Sequence, residues 1–181
     1  MTGTSNLDRA VEDFRSARRI AVAGFSRSGQ SPANFILKRM ESAGQETFAV
    51  NPAAPSIEGR ACYPDLRSIP GGVDAVFVAT PPAATEKLVR ECADLGIRQV
   101  WVHRALGRGS CSPEAAAICR ECGISLIDGA CPLMYYPPVD FFHRCFRTIL
   151  RFTGGLPRPE GQTSAAGPGR PGDAGHGRRG G

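Results

Sequence analysis

The sequence predicts an α/β protein with a doubly wound, mostly parallel sheet of about five strands and helices on both faces. Short runs of consecutive apolar, β-branched residues alternate with helical patterns, and continuous apolarity indicates strands that are buried on both faces. Three helical patterns also end in the same way, with a glycine directly before the next apolar run: Gly44, Gly96 and Gly123. Repeated αβ units joined by right-handed crossovers produce a sheet of this kind.

The predicted strands are five short apolar runs, at 19–24, 47–51, 74–80, 99–103 and 124–128. In a doubly wound sheet, ligands bind at the carboxyl ends of the strands, near the point where the strand order reverses. The residues that follow these runs are therefore the candidates for a binding site.

Helical patterns separate the strands, at 34–43, 83–95 and 113–122. Ser31 is a suitable N-cap for the first of them, and Pro32 suits its first turn. Two amphipathic helices flank the sheet. Their apolar positions are Leu7, Ala10, Val11 and Phe14 in the N-terminal helix, and Phe142, Phe146 and Ile149 in a C-terminal helix over about 139–152.

The composition divides the chain into a folded domain at 1–153 and a tail at 154–181. The whole chain has 181 residues, of which 41% are hydrophobic, enough for one domain with a core. Glycine and proline dominate the tail, so it cannot bury enough apolar surface to offset its ordering entropy, and we expect disorder. The formal charge is +5. We expect the tail to be solvated, and neither a nucleic acid nor a membrane to be a partner.

The cysteines and the apolar runs bear on location. Seven cysteines are present, an odd number that does not suit a fully paired disulfide framework. The first residues lack a basic region followed by an apolar stretch, and no run reaches the roughly 18 apolar residues that span a membrane. We therefore expect a cytoplasmic protein with reduced thiols.

The loop after the first strand, in GFSRSGQSP, has the features of a phosphate-binding turn. Gly24, Ser26 and Gly29 occupy the spacing of a G-x-G-x-x-G motif, with serine at its second position. A sharp strand-to-helix turn also needs glycine for structural reasons alone. The second strand ends in Asn51-Pro52, without the acidic residue that binds the ribose of NAD, and no Gly-Lys-Ser/Thr sequence of an ATP-binding loop is present.

Five segments together resemble the CoA-binding domain proteins, which are small Rossmann-like domains similar to the N-terminal domain of the succinyl-CoA synthetase α subunit. The segments are GFSRSGQSP, VNP with IEGRACYPDL behind it, VFVATPP, VWVHRALG and DGACPLMYY. They follow successive predicted strands in this order, and the resemblance runs from about residue 18 to residue 136. It implies coenzyme A, or an acyl-CoA, as the ligand.

The resemblance also implies a set of binding residues. The loop after the first strand would wrap the phosphates, the end of the second strand would line the adenosine side, and the residues after the third would contact the pyrophosphate or the pantetheine arm. In that order the residues are Gly24, Phe25, Ser26, Arg27 and Ser28; Asn51 and Pro52; and Thr80, Pro81 and Pro82.

One departure from the family concerns a lysine. Many members carry a lysine soon after the VNP segment, where it meets a phosphate of CoA, but the run here is NPAAPSIEGR. Either Arg27 or Arg60 compensates for this lysine, or the affinity for CoA is reduced.

Cysteine and histidine residues leave an enzymatic alternative open. His103 and Cys131 follow the fourth and fifth predicted strands and would lie on the ligand side of the sheet, where a Cys-His pair supports nucleophilic catalysis. Cys119 and Cys122 form a CxxC motif without the further ligands of a zinc site, at the C-terminal end of a helix, so we expect packing and no metal.

The sequence therefore favours a module that binds CoA or an acyl-CoA without catalysis. The alternatives are a transferase or thioesterase-like enzyme that uses Cys131 and His103, and an NAD(P)-binding protein of the reductase type.

Removal of residues 154–181 tests the predicted domain boundary. Because the tail contributes little to a core, we expect the free energy of unfolding in urea to change by less than about 0.5 kcal/mol. A drop of several degrees in Tm on deletion would instead show that the tail packs on the domain.

Overall fold

The computed structural model describes residues 5–29, 31–103, 110–139 and 141–153, without the side chains of residues 142, 146 and 151–153. The predicted disorder of residues 154–181 lies outside the described residues. Seven strands form one sheet: β1 Arg19–Ala23, β2 Glu46–Val50, β3 Ser56–Ile57, β4 Arg60–Tyr63, β5 Ala75–Val78, β6 Gln99–Val102 and β7 Ser125–Asp128.

The strand order is β3-β4-β2-β1-β5-β6-β7. All neighbours pair in parallel except β3 and β4. From β1 the chain builds the sheet outward through β2, then returns to the other side of β1 with β5. This confirms the doubly wound, Rossmann-like α/β fold and places the switch point between β1 and β5.

Helices cover both faces of the sheet. Their bounds are α1 Asn6–Ser16, α2 Pro32–Ser42, α3 Pro82–Leu95, α4 Pro113–Glu121 and α5 Phe141–Thr153, with a short 3₁₀ turn at Pro132–Met134. Alternate residues of β1 enter the two layers of core: Ile20 and Val22 pack with α1 and α2, whereas Ala21 and Ala23 pack with α3 and α4. The strands are therefore apolar on consecutive positions because both faces are buried.

The helix signals in the sequence are confirmed. Ser31 caps α2 by accepting a hydrogen bond from the N–H of Ala33, and Pro32 begins the helix. The buried positions of α1 are the four apolar residues predicted for its inner face. The three glycines that end α2, α3 and α4 all have positive φ angles.

The expectation of about five strands is corrected to seven, because the sequence analysis missed the hairpin of β3 and β4. These strands have two and four residues and lie in a segment interrupted by prolines. The turn between them consists of Glu58 and Gly59, both with positive φ. Such short strands at the edge of a sheet have no continuous apolar run to reveal them.

Gly24 lies where β1 leaves the sheet, and its backbone packs against the backbone of the segment that follows β5. Its φ is +99°, and a Cβ built there would lie 2.3 Å from the carbonyl oxygen of Ala79, which follows β5. A side chain at this position is therefore excluded by backbone atoms of the fold itself. The G-x-G-x-x-G spacing associates Gly24 with a phosphate, but the contact with Ala79 alone already requires glycine there.

Gly24→Ala is expected to destabilise the protein far more than Gly44→Ala. Both positions have positive φ, which costs an alanine about 1–2 kcal/mol, but nothing lies within 4 Å of a Cβ at Gly44. The backbone contact at Gly24 should add about 1–3 kcal/mol. Equal free energies of unfolding for the two variants in a urea titration would contradict this account.

Candidate functional site

A cleft of about 640 Å³ opens at the carboxyl edge of the sheet, at the switch point. The ends of β1, β2 and β5 form its floor, and α3 and the segment after β4 form its walls. The lining residues are Ala23, Gly24, Phe25, Val50, Asn51, Pro52, Pro64, Asp65, Ala79, Thr80, Pro81, Ala84, Lys87, Leu88 and Glu91. Most of them are apolar, which is typical of small-molecule sites.

Six of the ten candidate residues from the sequence line this cleft: Gly24, Phe25, Asn51, Pro52, Thr80 and Pro81. The other four lie next to it in the chain. Ser26, Arg27 and Ser28 continue the loop after β1, and Pro82 is the first residue of α3. The structure thus brings together segments that are up to 57 positions apart, from Gly24 to Pro81.

The loop after β1 is held by side chains that bind three successive carbonyl oxygens. The Ser31 hydroxyl donates to the carbonyl of Gly24 at 2.9 Å, and the Asn51 amide donates to that of Phe25 at 2.8 Å. The Asn34 amide donates to the carbonyl of Ser26, also at 2.8 Å. Because these oxygens are occupied by donors, their repulsion of an anion is reduced.

Asn34 is a residue of the site that the sequence analysis missed. It is 1% exposed, and besides donating to the Ser26 carbonyl it accepts from the Ser26 N–H at 2.9 Å. One buried amide therefore fixes both backbone groups of a loop residue. The signal in the sequence was an asparagine on the inner face of α2, between the buried Ala33 and Leu37, where burial requires hydrogen-bond partners.

Asn51 connects the two loops that border the cleft. Its amide nitrogen binds the loop after β1, and its Oδ1 accepts from the N–H of Ala53 at 2.8 Å. The residue at the end of β2, expected to face a sugar, is thus also a structural bridge.

The start of α3 forms another wall of the cleft. Pro81 is its N-cap residue and makes no side-chain cap. The Thr80 hydroxyl lies 3.0 Å from the hydroxyl of Thr85, a fully buried residue one turn into α3. This contact orients the Thr80 side chain. A helix N-terminus carries partial positive charge, so this end of α3 favours an anion.

Lys87 and two acidic residues also line the cleft, and the sequence analysis assigned none of them. Lys87 lies in the second turn of α3, on the same face as Pro81 and Ala84, and forms no ion pair within the described residues. Helical spacing from the Pro-Pro start was the available signal. Glu91 accepts from the N–H of Arg67 at 3.0 Å. The N–H of Ser68 binds Asp65 and lowers the pKa of that carboxyl.

The cations near the loop differ in how they are engaged. Arg60 makes two contacts with Glu41, at 2.7 and 2.9 Å, and Lys38 lies 3.4 Å from Glu58. Arg27 is exposed and only approaches the carbonyl of Ala53 at 3.4 Å, beside Pro52 of the cleft. Arg27 is therefore less engaged than Arg60, and its guanidinium lies beside a residue of the cleft.

The structure pairs Cys131 with His143, a residue of α5. The Cys131 Sγ lies 4.0 Å from the His143 Nε2. His103 instead packs its ring edge-on against Phe77, with 6.2 Å between the ring centres, and burial lowers the pKa of its imidazole. Neither Cys131 nor His103 lines the cleft.

The described residues contain no group of three or more potential metal ligands. The part of the chain that the structure describes contains no disulfide, and within the CxxC motif Cys119 is buried in the core while Cys122 ends α4. Among the helices that the structure describes, none is both long and apolar enough to cross a membrane.

Comparisons with known proteins agree on the family. A relative from Archaeoglobus fulgidus, acetate–CoA ligase [ADP-forming] II, is 31% identical over 97 residues, which are 51% of this chain and 14% of that protein. The chain thus spans a small part of that ligase. An uncharacterised Bacillus subtilis protein, YneT, is 26% identical over 120 residues, covering 66% of this chain and 86% of that one.

A solved structure of a hypothetical protein from Pyrococcus horikoshii matches with a TM-score of 0.61 and 25% identity, over 68% of this chain and 84% of that one. The sequence model of the CoA binding domain matches residues 18–137. This match spans the sheet and its cleft, and the chain belongs to the CoA binding domain family.

Proposed function

We propose that the protein binds coenzyme A, or an acyl-CoA, in the cleft at the carboxyl edge of β1, β2 and β5, and does not turn it over. The observation that carries this proposal is the position of the cleft at the switch point, with a cation on each side. Arg27 lies above the end of β2, Lys87 lies on α3, and the described residues offer neither of them an ion-pair partner.

The shape and charge of the cleft suit a nucleotide. Val50, Pro52, Pro64 and Leu88 offer apolar surface for an adenine ring, and the hydroxyl of Thr80 and the uncapped start of α3 favour a phosphate. In this arrangement Arg27 and Lys87 take the place of the lysine that the NPAAPSIEGR segment lacks.

Binding without catalysis is supported by what the cleft contains. Its titratable side chains are Asp65, Lys87 and Glu91, and both carboxylates are already engaged by backbone N–H groups. Among the described residues that line the cleft there is no cysteine, serine or histidine to act as a nucleophile or base on an acyl thioester.

CoA should raise the Tm more than NAD or ATP does at equal concentration. A ligand that binds only the native state adds about 2.7 kcal/mol at a hundredfold excess over Kd. Thermal denaturation with each ligand measures this, and an equal or larger shift with NAD would overturn the assignment.

Incubation with acetyl-CoA provides the catalytic control: recovery of intact thioester is expected, whereas its hydrolysis or transfer would show an enzyme.

Arg27→Ala and Lys87→Ala should each weaken CoA binding about tenfold to a hundredfold, because a charge-assisted hydrogen bond contributes roughly 1.5–3 kcal/mol. Both side chains are exposed, so the Tm of the free protein should remain unchanged. Isothermal titration with CoA and with dephospho-CoA separates the roles: a residue that binds the 3′-phosphate affects CoA alone, and one that binds the pyrophosphate affects both.

Lys38→Ala is the matched control, since Lys38 is the other lysine of the chain and lies outside the lining of the cleft. Its affinity for CoA should equal that of the wild type. If Lys38→Ala weakens binding as much as Lys87→Ala does, general electrostatic attraction and not a built phosphate contact accounts for the effect.

A further inference from the structure

The thiol of Cys131 and the imidazole of His143 contact each other outside the cleft. Cys131 follows β7 and is half-buried, and His143 lies in the first turn of α5. Their side chains are 4.0 Å apart, from Sγ to Nε2, which is the upper limit of a hydrogen bond to sulfur. Neither residue lines the cleft, so the proposed nucleotide site does not use this pair.

The helix that carries His143 is basic. The sequence of α5 contains arginines and no acidic residue. The Arg147 guanidinium, one turn after His143, donates to the carbonyl of Met134 at 3.1 Å and so lies against the 3₁₀ turn that Cys131 precedes. Nearby positive charge lowers the pKa of a cysteine thiol and raises the thiolate fraction at neutral pH.

Among the described residues, further ionisable groups lie on the elements near Cys131 and His143. They are Arg144 and Arg147 on α5, Tyr135 after the 3₁₀ turn, Arg39 on α2, which donates to the carbonyl of Pro138, and Asp128 at the end of β7. Among these described groups, three are arginines and one is acidic.

We propose that Cys131 and His143 form a reactive pair that exchanges with low-molecular-weight disulfides. His143 accepts the thiol proton, and the Cys131 thiolate attacks one sulfur of the disulfide RSSR. The S–S bond breaks, a mixed disulfide Cys131–S–SR forms, and the leaving RS⁻ takes the proton back from the imidazolium as RSH. The small disulfide is the oxidant, and this exchange needs neither a metal nor an oxyanion site.

Cys145 provides an internal control for this reaction. It lies on the same helix as His143 and is exposed, whereas Cys131 is half-buried. Access alone would therefore make Cys145 the faster of the two. With glutathione disulfide as the probe, followed by peptide mass spectrometry, we expect Cys131 to be modified first. Faster modification of Cys145 would overturn the proposal.

His143→Gln should slow the modification of Cys131 at least about tenfold at pH 6.5, because an isolated thiol with a pKa near 8.5 is almost fully protonated there. The rate at Cys145 should remain the same. An unchanged rate at Cys131 would show that the imidazole does not activate it.

The wild-type protein supplies a second test that does not depend on the folding of a variant. The pH profile of alkylation by iodoacetamide should have its midpoint at lower pH for Cys131 than for Cys145. Coincident midpoints near the ordinary thiol value would contradict the pair.

Discussion

The close contact between Gly24 and Ala79 is the constraint on which the cleft depends. The N–H of Ala79 binds the carbonyl of Ala23 at 2.9 Å, so the pairing of β1 and β5 extends to the last residue of β1. With no Cβ at Gly24, the chain then turns away directly above the neighbouring strand. This turn opens the space between the loop after β1 and the start of α3, and a bulkier residue would close or displace it.

Polar side chains convert that turn into a rigid rim. Ser31, Asn34 and Asn51 occupy three consecutive carbonyls, and each comes from a different place: the cap of α2, its first turn and the end of β2. Loss of the partner of a buried amide costs about 1–3 kcal/mol, so each of these contacts stabilises the conformation of the loop. The rim is set by the fold before any ligand arrives, which lowers the ordering cost of binding.

The sequence predicted the fold class and the helix caps because these depend on local patterns, and the family resemblance implied the main segments that line the cleft. It did not reveal β3 and β4, whose pairing is an edge effect, or Asn34, whose role depends on the tertiary position of Ser26. Lys87 was not predicted for a related reason, because packing decides which face of α3 borders the cleft. Strand order associated Cys131 with His103, whereas helix packing brings His143 within 4.0 Å of the sulfur.

The two proposed sites lie at the ends of different strands of the sheet. The cleft is centred between β1 and β5, whereas Cys131 follows β7, two strands beyond β5 and therefore roughly 10 Å across the sheet. A nucleophile must come within about 3–3.5 Å of the carbon it attacks. The phosphates of a nucleotide held at the switch point would lie outside this range, whereas the pantetheine arm of CoA is long enough to cross β6 and approach the thiol. Nucleotide binding and thiol exchange are thus separable properties, since loss of Arg27 or Lys87 removes no group of the thiol pair, and loss of His143 removes no wall of the cleft.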